Sequence, residues 1–203
     1  MSSVLVATSS IRGYVRAETD LALRNLDLCG NEVVNEHVHG YGVAQARNLM
    51  VLAAKEWCCD YLLMVDADVV PPSDALKRLI SHGKDVCMGW YVRGSSDDGR
   101  TCAIKLGTRG YEDSYGAGFF MAADDLVEVK GNGMGCALVR TSVFDKLPHP
   151  WFKFTDYPDG SALGEDYWFC QQCSCAGIKM WVDPFVGCAH VHDRVLEAGW
   201  EER

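Results

Sequence analysis

The sequence predicts one α/β domain built on a mixed, mostly parallel sheet flanked by helices. Three observations predict it. Apolar runs of strand length alternate with helically spaced segments through the first half of the chain, the run Tyr61–Val65 is apolar without interruption, and that run stops abruptly at Asp66-Ala67-Asp68. Alternating strand and helix is the pattern of a parallel sheet, and an unbroken apolar strand is one buried on both faces.

Taken in order, Val4–Ala7 reads as a buried first strand that delivers Thr8-Ser9-Ser10 to a loop. Leu21, Leu23, Leu26 and Leu28 have roughly helical spacing and precede Gly30-Asn31, a helix stop. Val33–Val38 is a second strand, closed by Gly40 and Gly42. From Ala44 to about Trp57, Leu49, Met50, Leu52, Ala53 and Ala54 make a strongly apolar helix that packs on the sheet. After the Tyr61–Val65 strand, Pro71-Pro72 forbids continuation. Ser73 is the expected N-cap of a helix carrying Leu76, Leu79 and Ile80. Val86–Val92 is the next strand. Beyond it glycines multiply: Gly94 to Gly118 reads as a mobile substrate-contacting loop, and Gly131-Asn132-Gly133 as a hairpin turn. A last helix from Gly164-Glu165-Asp166 to Ala176-Gly177 leads to a strand over Ile178–Val182, before Asp183-Pro184.

With 203 residues, 48% of them hydrophobic, the chain can bury the core of a single domain over 1–203. Its net charge of −9 excludes a general attraction to nucleic acid, so a phosphate ligand needs a local device such as a metal. No apolar stretch approaches a transmembrane segment, and the N-terminus lacks a basic region and a cleavage site. The expected location is therefore cytoplasmic. Ten cysteines, many of them within apolar segments, then read as reduced thiols, mostly core residues.

Ligands of open α/β sheets bind outside the carboxyl ends of the strands, which is where Asp66 and Asp68 fall. Two carboxylates there repel one another unless a cation intervenes, and Mn²⁺ or Mg²⁺ is the hard divalent ion such ligands suit. Glu165-Asp166 is a second acidic pair, in a first helical turn favoured by the helix dipole. Asp166 shares a helix face with Phe169, Cys170 and Cys173 and is expected to point inward, with Glu165 a position away. An inward carboxylate suits a general base. His190 and His192 lie on one side of an extended segment, and either could complete a metal site. Cys170, Cys173 and Cys175 with Cys188 and these histidines offer a rival zinc reading, although helical spacing already explains Cys170 and Cys173 as a buried face.

Ala46-Arg47-Asn48, Leu-Leu-Met-Val-Asp66-Ala-Asp68, Gly133-Met-Gly135, Gly164-Glu165-Asp166 and Trp181-Val-Asp-Pro with His190 together resemble glycosyltransferase family 2-like enzymes of the GT-A fold. The resemblance implies a Rossmann-like GT-A domain that uses a nucleotide-diphosphate sugar, a UDP- or GDP-sugar, as donor. In it Asp66 meets the ribose or a metal-bound water, and Asp68 and His190 complete a metal site with Asp66. Asp166 is the implied base of an inverting transfer. Thr8 and Arg47 match nucleotide contacts, and Gly133 to Gly135 lies near the donor sugar. The acceptor, a glycan, lipid or protein, stays open. The rival readings are a metal-dependent nucleotidyltransferase and a non-catalytic nucleotide-sugar-binding module.

Overall fold

The computed structural model describes residues 1–93, 99–107, 113–158 and 160–191. The elements in chain order are β1 (Ser3–Ser10), α1 (Ala17–Arg24), β2 (Glu32–His39), α2 (Val43–Glu56), β3 (Tyr61–Asp66), β4 (Val69–Val70), α3 (Ala75–Ser81), β5 (Val86–Trp90), β6 (Arg100–Ile104), β7 (Ser114–Gly116), α4 (Ala117–Ala122), β8 (Val127–Val129), β9 (Cys136–Arg140), β10 (Thr155–Asp156), β11 (Ala162–Leu163), α5 (Glu165–Cys175), β12 (Met180–Gly187) and β13 (Ala189–His190).

Seven strands form the central sheet in the order β2-β1-β3-β9-β5-β12-β8. β1 runs parallel to β2 and β3, and β5 to β12, while β9 and β8 run against their neighbours. The expected mixed, mostly parallel sheet is therefore the one observed. Successive residues of β3 serve opposite faces. Leu62 and Met64 pack with α2, α4 and α5; Tyr61, Leu63 and Val65 pack with α3 and with Leu26, just past α1. Leu62, Leu63 and Met64 are each at most 1% exposed, worth about 1.5–3 kcal/mol apiece relative to solvent. Among the described residues no helix is long and apolar enough to cross a membrane.

Five expectations change. The hairpin at Gly131-Asn132-Gly133 does not form. β8 pairs with β12, whereas the wholly apolar start of β9 is inserted between β3 and β5. Burial of Cys136–Val139 in the sheet centre outweighs the local turn signal. The expected loop from Gly94 to Gly118 contains the antiparallel pair β6 and β7 and the start of α4; its residues 94–98 and 108–112 lie outside the described residues. Asp74, not Ser73, is the N-cap of α3, and it makes no side-chain cap bond. The last long strand runs through Asp183-Pro184, because its register with β5 shifts between Val182 and Gly187 and a proline there blocks no ladder bond. The first helix ends at Arg24; Thr19 is buried and Leu23 and Leu26 pack on the core, but Leu21 and Leu28 are exposed, so only two of the four leucines marked the inner face.

All ten cysteines are free thiols. Cys59, Cys87, Cys136, Cys170 and Cys173 are buried, and Cys29, Cys58 and Cys175 are exposed. Burial pushes Cys87 and Cys170 up to about 12, so neither is a thiolate near neutral pH.

Candidate active site

Three local features build the site at the carboxyl edge of the sheet. The first is the end of β3, where the buried run delivers Asp66 and the chain turns through Ala67 and Asp68 into β4. The Asp66 amide donates to the Gly135 carbonyl at 3.1 Å, which fixes the turn to the loop before β9. The second is β13, which pairs antiparallel with β4 so that His190 lies opposite Val69, and the Val191 amide donates to the Asp68 carbonyl at 2.8 Å. The third is the start of α5, capped by Gly164, which presents Glu165 and Asp166.

These features bring Asp68 and His190 side by side, with His190 Nε2 3.5 Å from Asp68 Oδ2. The other ring nitrogen, Nδ1, lies 3.1 Å from the Val92 carbonyl. A carbonyl only accepts, so Nδ1 carries the hydrogen and the lone pair of the neutral ring sits on Nε2, facing the carboxylate. That is the tautomer a metal ligand needs, held by an outer partner. The Asp68 hydrogen bond raises the His190 pKa, as expected where a proton occupies the place of a cation. His192 lies outside the described residues.

Asp66 is committed elsewhere. Arg47, in the second turn of α2, donates from Nη2 to both Asp66 oxygens at 2.9 and 3.1 Å, and from Nη1 to Glu165 Oε1. Among the described residues no group of three or more His, Cys, Asp or Glu side chains gathers into a metal cage. Asp68 and His190 still fit a hard divalent ion, since Mg²⁺-type sites take one or two protein ligands and leave the other positions to phosphate oxygens and water. Their donor set has one carboxylate oxygen and one imidazole nitrogen aimed at one another.

Glu165 departs from the sequence expectation. It is buried, 7% exposed, because Arg47 supplies the charge its carboxylate needs. Asp166 is half-buried and lines a hollow of about 420 Å³ with Arg93, Tyr157, Ser161, Gly164 and Tyr167. Burial pushes both acids above the ordinary carboxylate range, and Arg47 opposes that rise in each. Asp166 Oδ1 accepts the Tyr167 amide at 2.7 Å, which orients the carboxylate.

A second hollow of about 270 Å³ lies beside Asp66-Ala67-Asp68 and is lined also by Ser9, Arg12, Tyr14, Arg16 and Tyr41. Ser9 belongs to the Thr8-Ser9-Ser10 end of β1 that the sequence pointed to; Arg12, Tyr14, Arg16 and Tyr41 were not singled out, and their only signal was their place in the loops after β1 and β2. Thr8 is not among them. It is buried on the other side of β1, in a separate hollow with Asp20, Arg24, Glu36 and His37.

Tyr91 was also missed, and it explains the two glycines. Its hydroxyl accepts the Gly135 amide at 3.1 Å, and its ring meets His190 edge-on at 5.2 Å. A Cβ on Gly133 would lie 2.3 Å from that hydroxyl, and one on Gly135 2.8 Å. Gly133→Ala is expected to lower stability by about 1–3 kcal/mol through overpacking. A urea melt checks this, and an unchanged midpoint would show that Tyr91 moves aside freely.

No family model matches the sequence, and no curated protein matches it. Solved structures do match. The crystal structure of A197 from STIV superposes with a TM-score of 0.64 at 20% identity, covering 94% of this chain and 86% of that one. The crystal structure of GalNAc-T7 with UDP, GalNAc and Mn2+ gives 0.56 at 13% identity, covering 94% of this chain and 44% of that one. At these identities the likeness shows a GT-A glycosyltransferase-type fold. The chain spans less than half the length of the GalNAc-T7 chain.

Proposed function

We propose that this chain is a metal-dependent glycosyltransferase, one domain over residues 1–203, that moves a sugar from a UDP- or GDP-sugar to an acceptor hydroxyl with inversion. The observation that carries the reading is the pairing of Asp68 with His190 at the strand edge, in a GT-A-type fold, with the half-buried Asp166 at the start of α5. GalNAc-T7, whose structure has UDP, GalNAc and Mn2+, supports the choice of ligands.

In this reading the hollow lined by Ser9, Arg12, Tyr14, Arg16 and Tyr41 takes the nucleotide, its tyrosines offering apolar faces and its arginines positive charge. Asp68 and His190 hold a Mn²⁺ or Mg²⁺ ion, and Asp66 takes the ribose or a water of that ion. An ion held there would supply positive charge for the diphosphate leaving group. The Gly133 to Gly135 loop, whose two glycines pack under Tyr91, lies near the donor sugar. Asp166 accepts the proton of the acceptor hydroxyl, and the hollow it shares with Arg93, Tyr157 and Tyr167 admits the acceptor. Ten free thiols suit a reducing compartment such as the cytoplasm.

Incubation with a panel of UDP- and GDP-sugars and Mn²⁺, with and without a mixed glycan acceptor pool, tests the reading. One donor is expected to yield free nucleoside diphosphate. Release of the sugar 1-phosphate instead, the group that leaves when the nucleotidyl part is transferred, would identify a nucleotidyltransferase, and binding with no product from any donor would identify a non-catalytic module.

A further inference from the structure

We infer that Arg47 is a positioning residue that clamps the nucleotide side of the cleft to the base-bearing helix, with Glu165 as its anchor rather than a base; the inference rests on the transferase reading above. Arg47 is 3% exposed and does not line the nucleotide hollow. Both terminal nitrogens are already occupied. Nη2 holds Asp66 at 2.9 and 3.1 Å and Nη1 holds Glu165, which leaves Nε as a buried donor without a partner. Burial alone would disfavour its charge, but the Asp66 and Glu165 carboxylates outweigh that cost and keep it protonated.

The clamp joins three separate elements. Asp66 ends β3, Arg47 sits on α2, and Glu165 is the first residue of α5. One planar guanidinium therefore sets the spacing between Asp66 and the helix start that carries Asp166. Its own base is rigid, because the neighbouring Asn48 ties α2 to the 151–152 segment, donating to the Phe152 carbonyl at 2.8 Å and accepting the Trp151 amide at 3.0 Å. Glu165 cannot leave this contact to collect a proton without stranding a buried cation. Asp166, one residue on, has its carboxylate turned to the acceptor hollow. A lysine carries the charge but not the fork, and cannot hold both carboxylates in fixed planes.

The test is steady-state transfer with the active donor and acceptor, beside calorimetric donor binding in Mn²⁺, for wild type, Arg47→Lys, Arg47→Met, Glu165→Gln and the Arg47→Met/Glu165→Gln double variant. Far-UV circular dichroism shows which variants fold. In Arg47→Lys, kcat is expected to fall about 10- to 100-fold while donor Kd stays within about threefold, the split of a misplaced but intact site. Glu165→Gln keeps an acceptor for Nη1 and should lose less than about tenfold in kcat. The double variant should be no slower than Arg47→Met, since both substitutions break one contact. A donor Kd raised tenfold with kcat unchanged would make Arg47 a nucleotide contact and overturn the inference. A Glu165→Gln loss beyond about 10²-fold with Arg47→Lys near wild type would make Glu165 the base and overturn it too. If Arg47→Lys does not fold, Glu165→Gln alone decides. A wild-type chain that turns over no donor overturns the transferase reading itself, an outcome visible before any variant is compared.

Discussion

Asp166→Asn is expected to lower sugar transfer by about 10²-fold or more while donor and metal binding stay near wild type. The substitution keeps the size of the side chain and its acceptor for the Tyr167 amide, but removes the basic oxygen. Burial raises the Asp166 pKa, and a base acts only when ionised, so the rising limb of the wild-type rate should lie above the ordinary carboxylate range. Stability moves the opposite way. A carboxyl whose folded pKa is raised binds its proton more tightly in the folded state, so its contribution is full below the unfolded value and is lost as pH rises through the folded one. At neutral pH the ionised Asp166 is therefore a cost, and Asp166→Asn should melt no lower than wild type. Rate profiles and melts over the same pH range check both signs. Retained transfer in Asp166→Asn with loss in Glu165→Gln would move the base to the neighbouring acid. Retained transfer in both would favour a retaining reaction without either.

The parts of this fold that could be read in the sequence are those where burial and periodicity agree. β3 is an example: five consecutive apolar residues bounded by acids allow only a strand buried on both faces, and Asp66-Ala67-Asp68 then falls at its carboxyl end. α2 and α5 followed from helical spacing for the same reason. What the sequence did not show depended on distant partners. Nothing near Glu165 indicates that it is buried, since the cause is Arg47, 118 residues away. Glycines 131 and 133 look like a hairpin turn, yet Gly131 bridges Ile104 of β6 and Gly133 packs under Tyr91. Thr8 and Ser9 are adjacent in a strand, so they point to opposite faces, and only the position of α2 decides which face borders the cleft.

Asp68→Ala is expected to abolish the metal-linked part of nucleotide binding, because it removes the carboxylate that faces His190, the hard anionic ligand of the pair, and leaves a neutral imidazole alone. His190→Ala should do the same from the other side. The loss should be roughly 10- to 100-fold in affinity measured with Mn²⁺, and absent in EDTA. Acid should mimic it. Asp68 raises the His190 pKa, and an ion on Nε2 must displace that proton, so metal-linked affinity should weaken as pH falls through the raised His190 value and recover above it. Asp68→Ala empties no core position, since Asp68 is exposed enough to lose its side chain without leaving a cavity. Calorimetric titration of wild type and Asp68→Ala with a nucleoside diphosphate, in Mn²⁺ and in EDTA, tests the metal-linked nucleotide site most directly. The expected result is tight binding only for wild type in Mn²⁺; equal affinity in Mn²⁺ and EDTA, or full metal dependence surviving in Asp68→Ala, would contradict it.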